Sequence, residues 1–252
     1  MYKNQNKKIV AIIEARMTST RLPGKVLLPI GGVPALELII RRLKRSRYLD
    51  AICVATTVNP ADDALMAAAE KLGATAFRGS ESDVLGRVLG AAKSAHADII
   101  VEITGDCPFA DPGLVDRSIE EFFAREVDYA SNTITATYPN GFDVQVFPTA
   151  VLAEVAGLTG DPIDRTHVSY YIYTHPENYR CYNWEADAES FGPELRVTLD
   201  EDADYQVLER VAQALKPLGD TFSARDVVQF LREHPDIAAI NAEVRQKEAH
   251  EL

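Results

Sequence analysis

The 252-residue sequence predicts an α/β fold, a mostly parallel sheet with helices on both faces. Three observations predict it. Apolar runs rich in β-branched residues recur through the first hundred residues, with stretches of helical period between them. Those runs are continuous rather than alternating, as in strands buried on both faces. The composition, 46% hydrophobic and 25% charged, is that of a globular chain with a full core.

Taken in order, residues 8–13 read as a buried strand, and residues 15–24 as a loop of Thr, Ser, Arg, Pro and Gly. Pro34 opens a helical pattern with Leu36, Ile39, Ile40 and Leu43 on one face. Strands are expected at 51–56, 74–77 and 98–103, and helices at 60–72 and 83–95. After Gly105 the rhythm changes. A helix at 112–123 precedes strands at 127–134 and 142–147, with Tyr138-Pro-Asn-Gly141 between them as a tight hairpin turn. This inserted hairpin, at about 127–147, is expected to project from the body. Residues 164–174 read as a helix, 179–185 and 194–199 as strands, and 202–215 as a helix. Two short helical segments at about 223–246 close the chain. Without linkers or repeats, residues 1–252 read as a single domain.

Net charge is −12, which argues against wrapping duplex nucleic acid. The charge is uneven: residues 1–50 carry +8 and the remainder −20, so a local site for a small anion is expected near the N-terminus. Arg41, Arg42, Lys44, Arg45 and Arg47 read as the solvated face of a helix. No apolar run approaches bilayer length, and the polar residues 1–8 do not read as a secretory signal, so no membrane partner is expected. Three widely spaced cysteines (Cys53, Cys107, Cys181) suit neither a disulfide framework nor a zinc knuckle, and the expected location is cytoplasmic.

The chemistry concentrates in Glu14-Ala-Arg-Met-Thr-Ser-Thr-Arg-Leu-Pro-Gly-Lys25, directly after the first strand. Ligands of open α/β sheets bind beyond the carboxyl ends of strands. The loop combines the cations Arg16, Arg21 and Lys25, the hydroxyls of Thr18, Ser19 and Thr20, and Gly24, which lets a backbone approach closely. Such a set suits a polyphosphate, although it matches neither the Walker nor the dinucleotide spacing. Asp106, in Thr104-Gly-Asp-Cys-Pro108, ends another strand on the same rim. Asp200 ends a third apolar segment, and Asp202 reads as the N-cap of the helix that follows. Asp106 and Asp200 together can offer two carboxylates to Mg²⁺, an ion usually bound against substrate phosphates. The five histidines show no zinc spacing, and no Gly-x-Ser-x-Gly turn occurs. Cys107 reads as a small core residue and Trp184 as a packing one.

These residues carry a resemblance. The run from Ile12 to Gly32 resembles the nucleotide-binding start of the cytidylyltransferases that activate acidic sugars. The spore-coat polysaccharide biosynthesis branch is closest, beside the acylneuraminate and 3-deoxy-manno-octulosonate enzymes. Val54-Ala-Thr-Thr57, Phe77-Arg-Gly-Ser80 with Asp83-Val-Leu85, Thr104-Gly-Asp-Cys-Pro108, Tyr138-Pro-Asn-Gly141 and Val197-Thr-Leu-Asp200 match that branch in order, over about residues 8–215. The resemblance implies a Rossmann-like, GT-A-like nucleotidyltransferase fold and transfer of CMP from CTP to an acidic sugar, with Mg²⁺ as cofactor and a homodimer as the assembly. It places the nucleotide on Ala15, Arg16, Thr18, Ser19, Thr20, Arg21, Gly24, Lys25 and Thr104. Arg16 and Lys25 would take the β- and γ-phosphates, and Thr56, Arg78, Ser80 and Asp83 would surround cytosine and ribose. It places Mg²⁺ on Asp106 and Asp200, and the sugar on Tyr138, Asn140, Asp143, Arg165 and His167, with the hairpin also in the dimer contact. Four positions depart from the branch: Glu14 stands for Gln, Thr18 for Gly, and Asn140 and Gln145 for acidic residues.

The expected catalytic set is therefore Arg16, Lys25, Asp106 and Asp200, acting by positioning and charge stabilisation. A glycosyltransferase of related architecture and a non-catalytic nucleotide-binding subunit are the alternatives. The first usually presents Asp-x-Asp, where this chain has a single carboxylate in Gly105-Asp106-Cys107.

Overall fold

The computed structural model describes residues 6–246. Its strands are β1 (Ile9–Glu14), β2 (Pro29–Ile30), β3 (Val33–Pro34), β4 (Ala51–Thr57), β5 (Thr75–Gly79), β6 (Ile99–Thr104), β7 (Tyr129–Ser131), β8 (Gln145–Pro148) and β9 (Cys181–Asn183). Its helices are α1 (Ala35–Leu43), α2 (Asp63–Lys71), α3 (Val84–Ser94), α4 (Pro112–Arg125), α5 (Thr149–Leu158), α6 (Pro162–Thr166), α7 (Tyr170–Thr174), α8 (Asp202–Leu215), α9 (Ala224–Glu233) and α10 (Pro235–Ala238).

Seven strands form one sheet in the order β5-β4-β1-β6-β8-β7-β9, and β2 pairs with β3 in a separate small ribbon. The strands β5, β4, β1 and β6 run parallel, as the continuous apolar runs predict. Ala11 and Ile13 face a core shared with Leu36, Ile39, Val115 and Leu208, while Val10 and Ile12 face a second core with Leu85, Val88, Phe147 and Leu152. Each such aliphatic side chain taken fully out of water contributes roughly 1.5–3 kcal/mol. The chain runs outward from β1 through β4 to β5 and then returns to place β6 on the other side of β1. That reversal opens a crevice beyond the carboxyl ends of β1 and β6.

The antiparallel half departs from expectation in detail. β7 and β8 do pair antiparallel, with Ala130 opposite Val146, but the pair does not project. β8 also lies antiparallel against β6, so both strands belong to the main sheet. Nor does Asn140-Gly141 make a tight hairpin turn, because residues 132–144 form a long connection between the strands. Its glycine serves a close approach instead: Gly141 has φ 112°, and a Cβ there would lie 2.6 Å from the Val197 carbonyl carbon. Residues 194–199 accordingly join no sheet. Asn140 donates its N–H to Leu195 O at 3.1 Å, and Val197 returns one to Asn140 O at 2.7 Å. Leu199 N–H then donates to Asp106 O at 2.7 Å, which carries Asp200 to the crevice.

Three further readings are corrected. The helix expected at 164–174 is two short helices, α6 and α7, broken where Val168 adopts φ 44°. The N-cap of α8 is Glu201 rather than Asp202, since Glu201 and Asp204 form a reciprocal capping box. Arg42 is not solvated but fully buried: its guanidinium donates to Ala110 O, Phe109 O, Phe222 O and Asp220 O, and lies 3.9 Å over the Phe222 ring. Four carbonyl acceptors and an aromatic face compensate the lost water. Among the described residues, no helix is long and apolar enough to cross a membrane.

Candidate active site

A cleft of about 540 Å³ opens beyond β1 and β6. The loop that begins it is held at both ends. Met17 N–H donates to the buried Asp62 at 2.7 Å, and Gly24, at φ 72°, donates its N–H back to Met17 O at 2.9 Å. Closing the loop in this way delivers Lys25, 9% exposed, to the cleft wall.

Lys25 Nζ donates to Asp200 Oδ1 at 2.8 Å and to Asp106 Oδ2 at 3.1 Å. Burial alone would lower the Lys25 pKa, but the two carboxylates outweigh it and hold it above the ordinary lysine value. Burial likewise works to raise Asp106, and Lys25 with the Thr104 hydroxyl overcomes it, so the carboxyl stays ionised below its usual range. Asp200 also accepts from Arg196 NH2 at 2.6 Å and forms an ion pair with Arg21 NH2 at 2.8 Å. Arg196 is itself oriented by Asp204, which is fully buried and further held by Asn241. Arg21, Lys25 and Arg196 thus converge on Asp200 from three sides. Asp143 lies near Asp106, and burial, together with that neighbouring charge, pushes its carboxyl up to about 6.

At the mouth, Arg16 and Thr18 both bond to Glu81 on the opposite lip, Arg16 at 3.2 Å. The hydroxyl that departs from the branch's Gly at position 18 therefore clips two lips of the cleft together. On the side facing α3, the wall is Glu14, Ser82, Val84 and Arg87. Glu14 lies on the same face of the sheet as the buried Glu102 of the neighbouring strand. Burial first, and the Glu14 charge second, raise Glu102 well above an ordinary carboxyl, and burial raises Glu14 as well.

Of the residues expected here, Ala15, Arg16, Ser19, Thr20, Arg21 and Lys25 line the cleft, as do Thr104, Asp106, His167 and Asp200. Others do not. Gly24 shapes the loop from behind, and Thr56 is fully buried under it. Arg78 turns away to Thr57 O, Asn59 O and Asp63. Ser80 Oγ accepts from Asp83 N–H, while Asp83 caps α3 and meets Arg165 Nε at 3.5 Å. Tyr138 packs edge-on against the buried Trp184, with its hydroxyl near Arg117. Asn140 bonds to Gln246, whose Oε1 also accepts from Arg196 at 2.7 Å. Most of these polar groups find partners on other segments of the chain, which motif matching does not register. Sequence reasoning missed Glu81, Ser82, Arg87, Thr166 and Gln246 on the wall. The only signal available for Glu81 and Ser82 was their place inside the matched 77–85 segment.

Among the described residues, no group of three or more His, Cys, Asp or Glu side chains could hold a metal ion. Two carboxylates sharing one point, as Asp106 and Asp200 do at Lys25 Nζ, still fit a hard cation that takes its remaining ligands from phosphates and water.

Comparison with known proteins fits this geometry. A cytidylyltransferase family model matches residues 10–216. The spore coat polysaccharide biosynthesis protein SpsF of Bacillus subtilis is 34% identical over 235 residues, 91% of this chain and 96% of that protein. A cytidylyltransferase structure from Leptospira borgpetersenii superposes with TM-score 0.87 at 30% identity, covering 96% of this chain and 99% of the other. The structure of CMP:2-keto-3-deoxy-manno-octonic acid synthetase complexed with CTP superposes with TM-score 0.62 at 20% identity, covering 84% and 99%.

Proposed function

The chain belongs to the cytidylyltransferase family, and from that premise we propose that it transfers CMP from CTP to an acidic sugar, of nonulosonic or octulosonic acid type, in surface polysaccharide or glycan biosynthesis. The whole chain acts as one nucleotidyltransferase domain, cytoplasmic and homodimeric. The observation that carries this reading is Lys25 Nζ bridging Asp106 and Asp200 at the carboxyl edge of the sheet, with Arg16 and Arg21 also lining the cleft.

In this reaction the acceptor hydroxyl oxygen forms a bond to the α-phosphorus while the bond to the β-phosphate oxygen breaks, and pyrophosphate leaves. Negative charge builds on the leaving group and on the non-bridging oxygens. Arg16 and Lys25 bind the β- and γ-phosphates, and Arg21 adds a third cation. Asp106 and Asp200 would hold a divalent cation, Mg²⁺ in our reading, which when bound polarises phosphoryl oxygens as a Lewis acid. His167, on the cleft wall, faces the acceptor, and Asp143 stands near Asp106. Cys107 is buried and burial raises its thiol well above the usual value, so it supplies neither a nucleophile nor a second metal carboxylate of the glycosyltransferase kind.

Pyrophosphate release with CTP, UTP or GTP across a panel of acidic sugars tests the proposal. CTP with one acid should turn over, and Asp106→Ala should fold normally and release almost none. Release with a neutral sugar, or undiminished release by that variant, would contradict it.

A further inference from the structure

The cleft straddles the carboxyl edge of the sheet, and its two sides differ. Ala15 points to the face that carries α1 and α8, the side of Lys25 and Asp200. Glu14, one residue earlier, points to the opposite face, toward α3. Glu102 stands on the same face one strand over, since Ile12 pairs with Glu102 and Glu14 with Thr104. Glu14 is half-buried and lines the cleft, whereas Glu102 is 4% exposed.

Donors surround Glu102 on its inner side. In the orientation that satisfies its neighbours, the Gln145 amide nitrogen donates to both Glu102 oxygens, at 2.8 and 3.3 Å, and to Ser169 Oγ at 3.1 Å. Glu102 also meets the Ser169 hydroxyl and neighbours Glu14, and two carboxyls brought side by side in a buried site favour one proton between them. Because Glu102 is the deeper and more strongly raised of the two, the proton sits there and is donated outward. The single negative charge left on the pair faces the Arg87 guanidinium, itself 4% exposed and anchored on Ser80 O at 2.6 Å. Glu14, which lines the cleft, therefore offers it a carboxylate that accepts and does not donate.

We propose that Glu14 discriminates the nucleobase: its cleft-facing oxygen accepts a hydrogen bond from the exocyclic 4-amino group of a pyrimidine triphosphate and repels the 4-oxo group of the alternative pyrimidine. The inference rests on the reading of this cleft as a CTP site and adds the residue that selects the base. The chemistry is one of matching. A 4-amino group offers N–H to an acceptor, while a 4-oxo group places a second acceptor against it and leaves both unpaired. Val84, on the same wall, gives the ring an apolar surface, and the phosphates are then met by the cations on the far side.

Calorimetric titration of CTP, UTP and inorganic tripolyphosphate, each with Mg²⁺, tests this on the wild type, Glu14→Leu and Glu14→Gln. The wild type should prefer CTP over UTP by about tenfold or more. Glu14→Leu should lose that preference while binding tripolyphosphate within about twofold of the wild type. Glu14→Gln should keep the preference, because its amide nitrogen donates to Glu102 and its amide oxygen accepts toward the base. Glu14→Ala carries the same expectation as Glu14→Leu and replaces it if the leucine variant fails to fold. A CTP preference retained by Leu or Ala variants that bind tripolyphosphate normally would overturn the inference alone. A wild type that binds tripolyphosphate but neither nucleotide would overturn the reading of the cleft and this inference with it.

Discussion

At one end of the cleft, Arg21, Lys25 and Arg196 face Asp106, Asp200 and Asp204; at the other, Glu14 and Glu102 lie side by side with Arg87 and Arg16 near Glu14. The first arrangement compensates charge with opposite charge. Its cations are already fixed in place when an anion arrives. The second compensates charge with a proton, so it titrates, and its outward oxygen has a defined hydrogen-bonding sense. The difference assigns separate tasks within one cavity: the ion-paired end suits the charge that develops on phosphate, and the proton-sharing end suits the neutral edge of a base.

Breaking the ion-paired end should produce the largest effect. Lys25→Ala leaves Asp106 and Asp200 unseparated and should cost on the order of 2–4 kcal/mol of transition-state stabilisation, read as kcat/KM for CTP in a pyrophosphate-release assay. Its fold should persist, since the loop is held independently by Asp62 and by the Gly24 contact to Met17. Asp204→Ala removes the buried carboxylate that orients Arg196 and accepts from the Asp200 and Glu201 amides. Because Asp200 still faces Arg196, a loss of about 2–3 kcal/mol is expected in urea unfolding.

The proton-sharing end gives a smaller effect with a pH signature. Folded Glu102 keeps its proton to a pH well above the ordinary 4.5, because burial and Glu14 penalise its charged form. The folded protein therefore binds more protons than the unfolded chain between those values. Stability from this group is fully present below 4.5 and is lost as pH rises through the raised value. Glu102→Gln removes the titration, so its melting temperature should gain on the wild type as pH rises above the ordinary 4.5. A difference that does not change with pH would contradict the shared proton. The smallest effect belongs to the cleft mouth, where Arg16 and Glu81 are both well exposed. Glu81→Ala should change stability by less than about 0.5 kcal/mol and lower the KM for CTP by about twofold as Arg16 is released.

Where the chain could be read in advance follows the same physics. Residues 8–104 were legible because parallel strands buried on both faces write continuous apolar runs, and polar loops at their ends stand out against them. Lys25, Asp106 and Asp200 were visible for that reason, each following an apolar stretch. The antiparallel half was less legible. Leu195, Val197 and Leu199 alternate like a strand, yet their backbone bonds to Asn140 and Asp106 rather than to the sheet. The α5 segment carries apolar residues nearly all round, so no amphipathic period marks it as a helix. Arg42, Arg196 and Asp204 escaped notice because charged residues inside elements look solvated until tertiary partners are known. Arg78 and Ser80 illustrate the converse: motif residues in the expected place in sequence turned their hydrogen bonds to the segment after β4 and to the start of α3.

Phosphorus NMR of CTP incubated with the chain, Mg²⁺ and an acidic-sugar panel tests the central claim most directly. For one acid, the triphosphate signals should give way to pyrophosphate and a CMP diester in equal amounts, and Lys25→Ala should leave the triphosphate intact. Orthophosphate in place of pyrophosphate, or unchanged conversion by the Lys25→Ala variant, would contradict the account.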